Sequence, residues 1–527
     1  MPTLNWIGKE SVVNHDKAVP FRLLKKVKAH SVGENSQNLI IHGDNLEALK
    51  ALMPFYAGKI KCIYIDPPYN TGNESWVYND KVNSPKIKKW LGKVVGGEAE
   101  DLCRHDKWLC MMYPRLKLLR ELLSDDGVIF VSIGKDEVSH LQILVKDVFG
   151  DENFIEIMSR EQKSGSNQGT FFAPQLDYII VASKNSKHIR HFLVDKKEID
   201  SISEKSLYQS SLDPLRGCTN QRYWIKCPDG SYVIPPGDIF PKIGDSEKIK
   251  PSTRNDKVWR WSQVRYLAER KNIIFKETSR SPLLNEHKKP SKWNVYSQNK
   301  NTEGMLPRDY IFGFTNSIGT KEMELLGLKD KFDNSKPSEL IAHLISIMNA
   351  DKEIFILDSF AGSGTTAHAV MQLNKEDGGD RKFILVEMED YAKDITAERV
   401  KRAIQKYDYK DGFEFCELDK PLFNEGGKIE PECTYEQLAT YVYFTETNTN
   451  INKKSIDNPF IGEYNDTEYY LLFKSKGKNV LNKDFLKRIP KHNRKKIIYA
   501  DKCLVDEKIM EKQNIIFKQI PYEVRIY

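Results

Sequence analysis

Leu357-Asp358-Ser359-Phe360-Ala361-Gly362-Ser363-Gly364-Thr365-Thr366 follows an apolar run from Ile354 and opens a stretch with helical spacing. Strand, glycine turn and helix in that order make a place where a ligand can meet backbone amides. Glycines allow the tight turn and a close approach, and a helix N-terminus presents unpaired N–H groups. Glu387 closes the next apolar strand, Phe383 to Val386, 23 residues after Gly364. A carboxylate there can take both hydroxyls of a ribose. Asp358, Phe360, Ala361, Gly362, Gly364, Thr365, Thr366 and Glu387 are therefore candidate cofactor-binding residues. Gly362-x-Gly364-x-x-Ala367 also satisfies the dinucleotide fingerprint, so a nicotinamide enzyme stays open as a rival.

Working outward from the turn, strands and helices alternate. Helical patterns are expected over 339–349 and 398–405, and towards the N-terminus over 46–52 and 116–123. Leu39-Ile40-Ile41, Ile60 to Ile65, Val128 to Ile133 and Tyr178 to Val181 read as buried strands, with a turn at Asp125-Asp126-Gly127. Continuous apolar strands between helices argue for a mostly parallel sheet covered on both faces, an α/β fold of Rossmann-like type. The rhythm is lost in the middle and changes again after 412. Four segments are expected: 1–186 and 301–411 as two halves of the α/β domain, 187–300 as an insertion, and 412–527 as a small α+β C-terminal domain outside the sheet. In that last domain Tyr469 to Phe473 reads as a buried strand. Lys487, Arg488, Lys491, Arg494, Lys495 and Lys496 read as a basic face.

The chain has 527 residues and a formal charge of +7. Between Lys187 and Lys300 there are 23 Lys+Arg and 13 Asp+Glu, which more than accounts for the whole excess. Trp259, Trp261, Tyr266, Trp293 and Tyr296 are interleaved there with Arg254, Arg260, Arg265 and Arg270. Clustered cations suit phosphates, so the insertion reads as a nucleic-acid surface, while its aromatics taken singly read as core. No run of 18 apolar residues occurs, so neither a membrane helix nor a membrane partner is expected. Met1 to Val13 lacks the pattern of a secretory leader. Eight scattered cysteines without a CxxC pair indicate neither a metal site nor a disulfide framework, and the protein reads as cytoplasmic and reduced.

The second constellation is Asp66-Pro67-Pro68-Tyr69, at the carboxyl end of a strand where α/β folds build their sites. Pro-Pro is rigid and offers no N–H donor. That leaves the Asp66 carboxylate and a proline carbonyl as acceptors beside an aromatic ring, a set suited to an exocyclic amine on a stacked base.

DPPY with FAGSGTT resembles the amino-group DNA methyltransferases that use S-adenosylmethionine. The order, with DPPY about 290 residues before the glycine turn and the basic insertion between, is similar to the permuted β group. DPPY resembles the adenine-N6 enzymes more than the cytosine-N4 enzymes. The resemblance implies catalytic roles for Asp66, Pro67, Pro68 and Tyr69. It implies cofactor contacts for Asp44 and Asn45 after Gly43, and for Lys336 and Ser338 in Asn334 to Leu340. Phe171-Phe172-Ala173-Pro174 resembles the base-stacking element, with Phe172 the candidate and core an equal alternative for either ring. Trp6 to Glu10, Glu417 to Phe423 and Tyr441 to Thr447 resemble modification subunits of type III restriction systems. This implies duplex DNA as substrate, base flipping, a homodimer and a restriction subunit as a further partner. No GxxxxGK[ST] loop or nuclease pattern is present, so translocation or cleavage is expected of another chain. An orphan or cytosine-N4 enzyme, an oxidoreductase and a non-catalytic DNA-binding subunit are the alternatives. The last two leave DPPY, or the paired acids Asp66 and Glu387, without a purpose.

Overall fold

Ile63, Ile65, Ile129, Val131, Leu357, Ile384 and Val386 have no room for water on any side, and strands of this kind must stack in the middle of a sheet. They do so in a computed structural model that describes residues 4–33, 36–71, 104–163, 171–194, 203–244, 246–299, 306–423, 428–451, 458–474, 477 and 479–520. Cys103 lies outside the described residues. Two units result, one of residues 1–192 with 306–527 and one of residues 193–305.

Ten strands form the sheet of the first unit: β1 (Arg22–Lys26), β2 (Leu39–His42), β3 (Ile60–Ile65), β4 (Leu123–Ile133), β5 (Phe154–Glu161), β6 (Leu176–Ser183), β7 (Tyr310–Ile311), β8 (Phe355–Asp358), β9 (Lys382–Glu387) and β10 (Glu414–Pro421). Their order is β1-β10-β2-β9-β8-β3-β4-β6-β5-β7. From β10 to β4 all neighbours are parallel. β1 on β10, β4 on β6 and β6 on β5 are antiparallel, and β7 joins β5 in parallel. The sheet is thus mixed and mostly parallel. Its helices include α1 (Asn45–Tyr56), α2 (Arg104–Leu122), α3 (Val138–Phe149), α4 (Asn316–Leu325), α5 (Ser338–Ile347), α6 (Thr365–Asp377), α7 (Glu398–Tyr407) and α8 (Tyr435–Thr447). No helix among the described residues is long and apolar enough to cross a membrane.

Two expectations about the large sheet need correction. The turn at Asp125-Asp126-Gly127 lies inside β4, whose pairing with β3 jumps from Leu123 opposite Ile60 to Val128 opposite Cys62. The surplus residues are taken up as a bulge, and Gly127 sits where a Cβ would meet the Ile60 carbonyl at 2.8 Å. The tail from 412 does contribute to the sheet. β10 lies beside β2, with Phe415 opposite Ile40 and fully buried, and covers an apolar edge that would otherwise stand open.

The rest of the tail builds a four-stranded sheet from Phe460–Tyr464, Thr467–Leu471, Lys495–Ala500 and Ile515–Gln519. It belongs to the first unit, not to a separate one. The Phe21 ring stands edge-on to Tyr441 of α8 at 4.8 Å, and the Asn450 amide donates to the Ala57 carbonyl after α1. Tyr469, Tyr470 and Leu471 are buried, and Lys487, Arg488, Lys491, Arg494 and Lys495 are exposed. Lys496 departs from the expected basic face: it is buried, and its Nζ donates to the carbonyls of His492 and Arg494 at 2.7 and 3.1 Å.

The second unit has two small antiparallel sheets, one of Ser203–Ser206, Ile273–Glu277 and Trp293–Asn299, the other of Ile225–Lys226, Tyr232–Ile234 and Leu284–Asn285. Trp259, Trp261, Tyr266 and Trp293 are buried in its core, as single aromatics were expected to be, while Tyr296 is half-buried. It starts and ends about five residues later than the basic segment read from composition.

Candidate functional site

Because β8 and β3 are adjacent and parallel, their carboxyl ends open on the same edge of the sheet, and a pocket forms there. Asp66, Pro68, Asp358, Phe360, Gly362 and Glu387 line it, with Asn45, Lys336, Ala361 and Thr365. Residues 270 apart in sequence thus share one cavity.

On the β3 side, Lys336 Nζ donates to Asp66 Oδ2 at 2.6 Å, and the two side chains are only 5% and 16% exposed. The other oxygen, Oδ1, is buried without a hydrogen-bond partner. The backbone beyond it is fixed from several directions. The Trp108 indole donates to the Pro68 carbonyl at 2.7 Å, and Tyr69 OH donates to Asp177 at 3.2 Å. Asn70, held at a φ of 56°, donates its amide to the Arg104 carbonyl at 3.1 Å and to Glu137. The fully buried Glu137 carboxylate also accepts from His105 and His140 at 2.6 and 2.9 Å. His105, Glu137 and His140 place possible ligand atoms within 4.8 Å of one another, a grouping invisible in the sequence because it spans the starts of α2 and α3.

On the glycine-turn side the acids are held by the backbone. Asp358 accepts from the Phe360 N–H at 3.0 Å and from the Thr366 hydroxyl. Glu387 accepts from the N–H groups of Gly362 and Glu389 at 2.8 and 2.9 Å. Burial pushes both carboxyls up to about 7. Gly362 and Gly364 have φ of 52° and 84°. A Cβ on Gly364 would lie 3.0 Å from the Thr396 carbonyl, so the space it frees is used by the chain entering α7. Gly364 itself does not line the pocket.

Other candidates fall off the pocket wall. Thr366 is fully buried against Asp358. Ser338 turns away, its N–H and hydroxyl donating to Glu322 of α4 at 3.0 and 2.7 Å, and Glu322 in turn pairs with Arg399 at 2.8 Å. Asp44 caps α1, accepting from Leu46 N–H and Glu47 N–H at 2.9 and 3.1 Å. Asn45 does line the pocket, donating to the Ser359 carbonyl at 3.2 Å and accepting from Arg115. Arg115 itself, buried and on the wall, went unnoticed in the sequence, where its one signal is a cation on the apolar face of α2. Phe332, Met388 and Tyr391 also stand on the wall and have no sequence signature.

Arg254, Arg260, Arg265 and Arg270 are exposed on the second unit. Arg265 lies 4.4 Å over the Trp261 ring and pairs with Glu269 at 3.0 Å, Arg260 donates to Gln209, and Arg270 stands 5.8 Å from the Tyr266 ring. Phe171 and Phe172 are each 90% exposed, so neither is core.

A mostly parallel sheet with a buried acid after a glycine turn defines a Rossmann-like domain with a nucleoside-cofactor site at the carboxyl ends of its strands. The family model described as DNA methylase matches residues 60–398, from β3 into α7 and through both constellations, and this chain belongs to that family. It is 34% identical over 433 residues to the Mod subunit of the type III restriction-modification enzyme EcoPI of Escherichia phage P1, covering 74% of this chain and 64% of that one. It is 30% identical over 510 residues to the Mod subunit of the type III enzyme EcoP15I of Escherichia coli, covering 84% and 74%. The type II methyltransferase M.KpnI of Klebsiella pneumoniae is 29% identical over 397 residues, covering 69% and 84%. The chain thus spans just under two thirds of the first of these relatives and about three quarters of the second.

Proposed function

We propose that this chain transfers a methyl group from S-adenosylmethionine to adenine N6 in double-stranded DNA, as the modification subunit of a type III restriction-modification system. The observation that carries the reading is the buried, unpartnered Oδ1 of Asp66 on the pocket wall. An orphaned carboxylate oxygen in a cavity is costly unless a donor arrives, and the exocyclic amine of adenine supplies one. That amine is a poor nucleophile because its lone pair is delocalised into the ring. A hydrogen bond to Asp66, with a second acceptor on the Pro67 carbonyl, favours a pyramidal nitrogen whose lone pair can attack, so catalysis is positioning and electrostatics. Tyr69 supplies a face for the base, which must leave the duplex to reach the pocket.

The cofactor fits the residues on the opposite wall. Glu387 takes the ribose hydroxyls, Asn45 and the backbone at Phe360 to Gly362 line the nucleoside, and the buried, unpartnered Ser359 hydroxyl offers a further contact. When bound, the sulfonium supplies the activated methyl group. The second unit selects the sequence, its exposed arginines bind DNA phosphates, and Phe172 is available to stack on a base. The two Mod subunits named above support a partnership with a restriction subunit, and a homodimer built through the tail is part of the same proposal.

The test is incubation of the purified chain with labelled S-adenosylmethionine and mixed-sequence duplex DNA, followed by modified-base sequencing. N6-methyladenine within one short motif is the expected product. N4-methylcytosine, or no transfer by a folded, cofactor-bound chain, overturns the assignment. Equilibrium sedimentation with and without DNA reads the homodimer.

A further inference from the structure

The Lys336 ammonium was expected to touch cofactor, and the structure gives it a different neighbour. It is nearly buried and donates to Asp66 Oδ2 at 2.6 Å, standing 5.0 Å from the Tyr69 ring centroid. Its root is rigid. The Lys336 carbonyl accepts from the Thr365 hydroxyl at 3.3 Å, which ties this residue to the glycine turn. Pro337 follows, and Ser338 anchors the start of α5 to Glu322. A single side chain therefore reaches from the cofactor half of the site to the DPPY half.

Resting on the function proposed above, we infer that Lys336 is a positioning residue for Asp66 and not a ligand of the cofactor: it holds one carboxylate oxygen so that the other is left for the target amine. Two physical arguments support this. A carboxylate buried beside hydrophobic strands needs a counter-charge, and a lysine supplies a single-point one that leaves the second oxygen free. The methyl donor is itself a cation, so an unpaired ammonium in the same cavity would repel it, whereas the Lys336–Asp66 pair presents no net charge. Two other acids lie near this pair: Asp177 is neutralised separately by Arg160 at 2.8 Å, and burial pushes Asp358 up to about 7.

The geometry makes arginine a discriminating substitute. A guanidinium engages carboxylates with two parallel donors and so occupies both oxygens of Asp66. Lys336→Met and Lys336→Arg in the full chain should both bind S-adenosylmethionine within about threefold of wild type by calorimetry. Both should methylate duplex DNA at least tenfold more slowly in a single turnover at saturating cofactor, which separates the transfer step from product release. In an Asp66→Asn background, Lys336→Met should change the residual rate by less than threefold, since the partner is already gone. Melting curves identify a variant that fails to fold, and if that is Lys336→Met, the arginine variant alone carries the test.

A role in charge balance or folding alone predicts full recovery in Lys336→Arg, and that recovery overturns the inference. So does cofactor binding weakened more than tenfold with an unchanged saturated rate, the signature of a cofactor ligand. So does an independent effect in the Asp66→Asn background. A wild-type chain that modifies DNA while Lys336→Met transfers at the wild-type rate removes this inference and leaves the function standing. A wild type that transfers nothing removes both.

Discussion

Asp66 after β3 and Glu387 at the end of β9 are acids on one pocket, the first half-buried and the second buried, held by opposite means. Asp66 meets a side-chain cation contributed from 270 residues away. Glu387 accepts from two backbone N–H groups and from the Tyr391 side chain, with no ion pair among the described residues. Amide dipoles only partly replace a counter-ion, so burial still pushes Glu387 up to about 7. The end proposed for the chemistry is therefore set by replaceable side chains, and the end proposed for the cofactor largely by the shape of the main chain. Substitutions should cut along that line, damaging turnover at one end and binding or folding at the other.

The sharpest break comes from Asp66→Ala. Methyl transfer should fall by about a thousandfold or more while cofactor affinity stays within a few-fold, because the oxygen lost faces the amine. Single-turnover methylation and calorimetry read the two, and near-normal turnover would erase the distinction.

At the other end, Gly364→Val should cost about 2–4 kcal/mol of stability in urea unfolding, because a β-branched residue meets a φ of 84° and a carbonyl at 3.0 Å. If stability holds and only cofactor affinity drops, the turn makes room for ligand after all.

The third test is pH. Burial holds the carboxyls of Asp358 and Glu387 at about 7, above their unfolded range near 4. Between those values the folded chain keeps protons that the unfolded chain has released. Their stabilisation is complete below about pH 4 and is lost as the pH rises through 7, by up to about 4 kcal/mol per group. Glu387→Gln should flatten the profile between pH 5 and 8. An identical slope in the variant would mean that Glu387 is ionised throughout.

The smallest effect belongs to the second unit. Arg260→Gln with Arg265→Gln should weaken binding to all duplexes alike and reduce the salt slope by up to about one per lost phosphate contact. Loss confined to the cognate motif would make these arginines readers of bases.

What was legible in the sequence followed from local constraint. DPPY and the glycine turn are short and stereochemically demanding, and each sits after an apolar strand, so both their residues and their edge of the sheet could be read. Pairings across the chain could not. Nothing near Lys336 announces Asp66, and nothing near Ser338 announces Glu322, because such contacts depend on which strands become neighbours. β10 was missed for a related reason: lying between the edge strand β1 and β2, it buries only Phe415 and Cys416, too short a pattern to separate from a loop. The bulge in β4 hid behind turn-forming residues that a strand can absorb when its neighbour allows a jump in register.

The order β2-β9-β8-β3 has a consequence for how the chain is born. β2 and β3 leave the ribosome early, yet they never touch, because the two strands that separate them come from beyond residue 350. At 5–20 residues per second, the roughly 290 residues between β3 and β8 take about 15–60 s to synthesise. For that interval two apolar strands wait with unpaired edges on either side of a slot two strands wide. Until β8 arrives, the edge of β3 beside Asp66 stays open to pairing with the wrong strand.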